Sequence, residues 1–415
     1  MRQHTPKHII KYMLPVVMML LAGACQGNDE GQPEANGSIP VAFTARIASS
    51  DTRAENATES KATLKERGGF GVFACYTGLH KYVDSNVHPD FMYNEHVTSD
   101  DDGATWTYSP IKYWPNGEGE VTGLTGENPH YVSFFAYAPW RDVSTPDLDQ
   151  DSYPVEYCIH SFSQQGEMGN PWLTYRLHPN LAKQVDLLCA RPLLDRTKPA
   201  ISEKLPFVFD HALACVGDKV TVRCSAGLKS QIDNRINASI TNAKVVVTSL
   251  KIDYFLTAKA RLVLWNNGEP NWQTILSEAP TCTRTVTLIP NESETEAIVY
   301  SKIGNIPTEI TIEDTWSGKG VYYIPVELSN YVQTATVSIS YHVSSYNGSR
   351  WIDDEEKTGT AYIVLHEYNK GDNPGYKPGK HLYINVSLNP MDIALTAAIA
   401  PWVTEDPVDV EGIEE

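Results

Sequence analysis

The chain has 415 residues, of which 33 are basic and 51 acidic, for a formal net charge of −18. An acidic surface of this strength repels phosphate backbones and excludes nucleic acid as a partner. Hydrophobic residues make up 41% of the chain, ample for packed cores, and the length suits two domains behind a leader.

The leader comes first. Arg2, Lys7 and Lys11 form a basic segment, residues 13–21 form a short apolar run, and Ala22, Gly23 and Ala24 stand directly before Cys25. This order describes a secretory signal at 1–24 that is too short to span a bilayer. A cysteine at the cleavage boundary looks like a bacterial lipoprotein signal, with Cys25 acylated as the mature N-terminus. The alternative is an ordinary signal peptide that ends near a cysteine. Loss of the leader leaves 30 basic residues against 51 acidic ones, a mature charge of −21. Lipid would hold such a chain to an outer membrane. Residues 25–38 are polar and acidic and read as a tether.

Structure is expected from residue 39. Ile39, Val41, Phe43, Ala45 and Ile47 alternate with other residues and describe one face of a strand. Residues 49–66 return to polar loop character. From 70 onwards, strand signals recur at 70–76, 131–137, 205–209, 219–224, 244–249, 260–265, 283–289, 320–324, 335–341, 360–365 and 381–388. Short runs rich in Val, Ile, Thr and Tyr, punctuated by turn residues, predict an all-β chain of sandwich-like modules. A few helical turns fit 225–237. The domain boundary is expected near 202–206, which divides the chain into domains at 39–204 and 205–403, followed by an acidic tail at 404–415. Within the second domain, Met391, Ile393, Leu395, Ala397 and Ile399 alternate as an ordinary last strand or as a strand for donation.

Enzyme signatures are absent. The sequence holds no nucleophile elbow, no His-Glu-x-x-His and no phosphate loop, so no catalytic residue and no cofactor is assigned. Cys75, Cys158, Cys189, Cys215, Cys224 and Cys282 lack Cys-x-x-Cys spacing, so no metal site is assigned either. Disulfides and buried thiols both remain open. His211 reads as a packed structural residue, and Asp100 to Gly103 and 353–356 read as solvated acidic turns. Trp106, Tyr108, Tyr113, Trp114, Tyr137 and Trp140 would be core rings if buried, or a sugar-stacking surface if exposed.

Several longer stretches fall in a specific order: Pro89-Asp-Phe-Met-Tyr-Asn-Glu-His-Val97, Trp106-Thr-Tyr-Ser-Pro-Ile-Lys-Tyr-Trp-Pro115, and Val132-Ser-Phe-Phe-Ala-Tyr-Ala-Pro139. Val185-Asp-Leu-Leu-Cys-Ala190, Phe207-Val-Phe-Asp-His-Ala-Leu213, Ile384-Asn-Val-Ser-Leu388 and Ile399-Ala-Pro-Trp402 follow. In this order the chain resembles the fimbrillin family, the pilin-like lipoproteins of Gram-negative anaerobes. The resemblance implies two tandem β-sandwich-like (transthyretin-like) domains with a few short helices. It also implies export as a lipoprotein, removal of the first strand by an arginine-specific protease, and filling of the groove by a strand of another fimbrial subunit. Arg46 and Arg53 are the cleavage candidates and Arg67 a lesser third. The strand at 39–47 would leave, and 391–399 would be the donor. The implied partners are fimbrial subunits, the processing protease, the outer membrane through lipid, and a host glycan or protein ligand. The alternative function is a glycan-binding surface lipoprotein that never polymerises.

Overall fold

The computed structural model describes residues 39–48, 63–83, 86–115, 130–142, 159–178, 180–264, 270–275, 281–289, 297–303, 309–313, 320–326, 332–365, 378–390 and 392–401. Cys25, Arg53, Cys158, Met391 and the tail at 404–415 lie outside them.

The chain is all-β, as its alternation predicts. A first sheet carries strands β1 (Ala42–Ile47), β2 (Phe70–Gly78), β3 (Met92–Val97) and β4 (Tyr131–Ala138). It is completed by β7 (Leu188–Ala190), β8 (Leu193–Arg196) and β9 (Lys204–His211). Its order is β1-β9-β7-β4-β2-β3, with β8 also paired to β4. This sheet is covered on both faces, which explains the near-continuous apolar runs of β2 and β4. Phe70, Val72, Ala74, Val132, Phe134, Ala136 and Ala138 point into one core, shared with Trp106, Tyr108 and Trp114. Phe73, Cys75, Phe135 and Tyr137 point into the other.

A second sheet, β13-β12-β6-β5, contributes to that other core. It joins β5 (Ile159–Phe162) and β6 (Trp172–Arg176) to β12 (Lys259–Val263) and β13 (Asn271–Thr274). A third sheet holds β10 (Ala214–Cys224), β16 (Glu309–Glu313), β17 (Val321–Tyr323), β21 (Lys380–Leu388) and β22 (Ile393–Pro401). The fourth is built on β11 (Asn242–Thr257) and β18 (Thr334–Tyr346). They are flanked by β14 (Thr281–Ile289), β15 (Ala297–Ser301), β19 (Trp351–Asp353) and β20 (Lys357–Val364). The expected helical turns are one helix, α1 (Ala226–Asp233), whose Ser225 hydroxyl accepts from the Leu228 amide at 3.3 Å.

The described residues from 39 onward cluster as one compact unit. The sequence boundary at 204/205 falls at the start of β9, inside the first sheet. Only Ala212 and Leu213 separate β9 from β10, so the chain passes from the first sheet to the third almost without a linker. No helix among the described residues is long and apolar enough to cross a membrane.

Close packing fixes one glycine. The Tyr137 hydroxyl donates to Asn94 Oδ1 at 2.6 Å, and Asn94 Nδ2 donates to the Arg141 carbonyl at 2.7 Å. A Cβ on Gly71 would stand 2.3 Å from Tyr137 Cε1 and 2.8 Å from Asn94 Oδ1. Gly71→Ala is therefore expected to lower stability by ~1–3 kcal/mol through overpacking, measured by urea unfolding. A neutral result would show that the Tyr137 ring can yield.

Candidate strand-exchange site

β1 is an edge strand. It pairs in parallel with β9, from Ala42 opposite Lys204 to Ile47 opposite Phe209. The Ala48 amide extends the ladder by donating to the Phe209 carbonyl at 2.7 Å. On its other side, among the described residues, contacts hold its N-terminal end. The Val41 amide donates to the Lys112 carbonyl, and the Trp114 amide to that of Ile39, each at 2.9 Å. The Tyr108 hydroxyl donates to the Val41 carbonyl at 2.9 Å.

The two faces of β1 differ as its alternation requires. Val41, Phe43, Ala45 and Ile47 are each at least 98% buried, and Ile39 packs against the same core. Phe43 stacks on Phe207 with ring centroids 5.5 Å apart, and it meets Tyr108, Phe134 and Phe70 at 5.6, 6.0 and 6.4 Å. Ala45 stands opposite Phe207, a ring already stacked on Phe43 and 6.1 Å from Phe209. A small side chain fits that place. Arg46, on the opposite face, is exposed.

The three arginines thus differ. Arg46 is accessible at the end of β1, and Arg53 lies outside the described residues. Arg67 is engaged: its Nη1 donates to Asp186 Oδ2 at 2.8 Å. Asp186 is buried and also bound at Oδ2 by His211 Nδ1, at 2.9 Å. Burial alone would raise the Asp186 pKa, but the adjacent His211 and Arg67 outweigh it and hold the carboxyl at about 2. Sequence reading placed His211 in a core but did not find its carboxylate partner, which lies 25 residues away.

At the other end of the chain, β22 is also an edge strand. It pairs antiparallel with β21, from Ile393 opposite Leu388 to Pro401 opposite Lys380. Ile393 is buried beside Gly359, where a Cβ would stand 2.8 Å from Ile393 Cγ2. Leu395 is half-buried against the larger core. The sequence places Ala397 and Ile399 further along the same strand.

The remaining candidates resolve individually. Trp106, Tyr108, Trp114 and Tyr137 are buried, and Trp140 is half-buried with its ring stacked 3.9 Å over His96. Only Tyr113 of the six is exposed. These rings build the fold and do not form a shared flat surface. Asp101 Oδ1 accepts from the Thr105 amide at 2.6 Å and the Ser99 hydroxyl at 2.9 Å, which makes an internally bonded turn. No disulfide forms among the described cysteines. Burial pushes the Cys75, Cys189 and Cys224 thiols up to about 12, so they remain neutral packing groups.

The chain is similar over most of its length to known proteins. Fimbrium subunit Fim1C of Phocaeicola vulgatus (strain ATCC 8482) is 25% identical over 417 residues, covering 97% of this chain and 98% of that protein. The crystal structure of a fimbrial protein from Bacteroides vulgatus ATCC 8482 has the same fold. It superposes with a TM-score of 0.60 at 21% identity, covering 88% of this chain and all of the other. No protein-family profile matches the chain. The resemblance to the fimbrillin family is borne out across nearly the whole length: the chain is fimbrillin-like.

Proposed function

We propose that this chain is a structural and adhesive subunit of a cell-surface fimbrium, assembled by strand exchange. It is exported as a lipoprotein precursor with Cys25 as the lipid-bearing residue and the outer membrane as its first station. An arginine-specific protease cuts at Arg46 or Arg53, β1 leaves, and the terminal strand of another subunit enters the groove. The carrying observation is β1 itself, a six-residue edge strand that, together with Val41 just before it, seals a core with four buried side chains and ends beside an exposed arginine.

Two further features support the reading. The departing series is Val41, Phe43, Ala45, Ile47, and the donor series is Ile393, Leu395, Ala397, Ile399. Both run large, large, small, large at every second residue, so Ala397 would occupy the place of Ala45 opposite Phe207. The fimbrial relatives supply the biological setting. The acidic tail at 404–415 favours a tip or accessory position over the repeating shaft. With no enzyme constellation in the sequence and four of six candidate rings buried, catalysis and glycan stacking have less to rest on.

The test is limited digestion of the precursor with an arginine-specific protease, read by intact mass and native size. Cleavage confined to Arg46 or Arg53, followed by a ladder of oligomers, is the expected result. Arg67 should resist because of its ion pair. Cleavage with no change in size would sink the exchange reading and favour an anchored surface lipoprotein.

A further inference from the structure

The parallel ladder between β10 and β21 brings together three groups that are far apart in sequence. Cys215 stands directly opposite His381 in the register, so their side chains share a face. The register then shifts between Val216 and Val220, and this irregularity carries Asp218 back over the same spot. Gly217 takes a φ of +74° within the bulge. Gly320, at φ +70°, leaves the space that the cluster needs, since a Cβ there would lie 2.7 Å from both Cys215 Sγ and Asp218 Cβ. One ligand atom from each of Cys215, Asp218 and His381 lies within 4.8 Å of the others.

The charges within this cluster are incompletely met. Asp218 Oδ2 bonds His381 Nδ1 at 2.7 Å, while Asp218 Oδ1 is buried with no hydrogen-bond partner. A buried carboxylate oxygen left without a donor is unfavourable, and a cation removes the penalty. Side-chain exposure is 16% at Asp218 and 13% at His381, whereas Cys215 is fully buried. The two polar ligands thus form a shallow mouth over the thiol.

We infer that Cys215, Asp218 and His381 form a binding site for one thiophilic divalent cation of the zinc class. A thiolate, an imidazole and a carboxylate are the donors such an ion takes, with water completing a tetrahedron. Tetrahedral zinc sets its ligand atoms roughly 3.5 Å apart, so side-chain rotation of about an ångström closes the set. Binding displaces the thiol proton to solvent, which makes affinity fall as pH falls. The bound ion would tie β10 to β21, the strand that carries β22. Linear spacing gives no hint of the site because its ligands meet only through register.

The experiment uses the full chain, free of metal and of any histidine tag, titrated with Co²⁺ and then Zn²⁺. One cobalt per chain with a thiolate-to-cobalt charge-transfer band is expected, and zinc should displace it and raise the melting temperature. Cys215→Ser should abolish the band, and Asp218→Asn and His381→Gln should each weaken binding at least tenfold. Near-UV circular dichroism would confirm that each variant is folded; the Asn variant keeps the shape of the side chain. No band with the wild-type chain would overturn the assignment. So would a band that survives Cys215→Ser but disappears with Cys282→Ser, the half-buried thiol on β14.

Discussion

Phe43→Asp is expected to leave no folded precursor. The ring is 99% buried and contacts four other aromatic rings. Truncation of a buried Phe to Ala alone costs about 3–5 kcal/mol. An aspartate would add the desolvation of a charge with no partner, several kcal/mol more. Together these approach the ~5–15 kcal/mol by which whole domains are stable. Near-UV circular dichroism and urea unfolding of the precursor would measure the loss, and wild-type stability in the Asp variant would refute the packing described for Phe43.

The milder Phe43→Ala separates packing from exchange. As an intact precursor it should unfold with ~3–5 kcal/mol less stability. Cleavage after Arg46 or Arg53 removes residue 43 from the product. If a second subunit's strand fills the groove, cleaved and assembled Phe43→Ala should be indistinguishable from wild type. If β1 stays in place after cleavage, the deficit should persist in the oligomer. The same substitution thus has an effect before processing and none after it, which no purely structural role for β1 predicts.

Strands whose alternation is uninterrupted were legible in the sequence. Five apolar positions mark residues 39–47, and the strand is Ala42–Ile47; where both faces are buried a continuous apolar run serves instead, as at 131–137, which is the strand Tyr131–Ala138. β11 shows where alternation fails. Its sequence signal ends at 249, but the strand continues to Thr257, because a register shift between Val247 and Ser249 breaks the period of two. The parallel partnership of β1 with β9 was not legible, since it joins residues some 160 positions apart and leaves no local mark. For the same reason Asp186 gave no signal. Its neighbourhood reads as an ordinary polar-to-apolar transition, and the groups that bind it come from 119 residues before and 25 after. Side-chain faces follow from local pattern, while partners follow from topology.

That buried carboxylate carries the second large effect. Asp186→Ala should lower stability by ~3–5 kcal/mol at neutral pH, because it leaves Arg67 and His211 facing each other without the anion between them. The ionised carboxyl also makes stability depend on pH in a definite direction. Its folded pKa is about 2, depressed by His211 and Arg67 against the opposing effect of burial, and its unfolded value is near 3.9. The folded state therefore holds the proton less readily than the unfolded one. The stabilisation is complete above about pH 4 and is lost as pH falls through 2. The gap between the two values corresponds to about 3 kcal/mol, of which about 2 kcal/mol is lost by pH 2. Asp186→Asn keeps the shape and removes the titration. Urea unfolding between pH 6 and 2 should show wild type losing about 2 kcal/mol more than the Asn variant over the acidic end of that range. Parallel curves would mean that the carboxyl is not held by Arg67 and His211. Arg67 would then no longer be tied down, and it would return as a site for the arginine-specific protease.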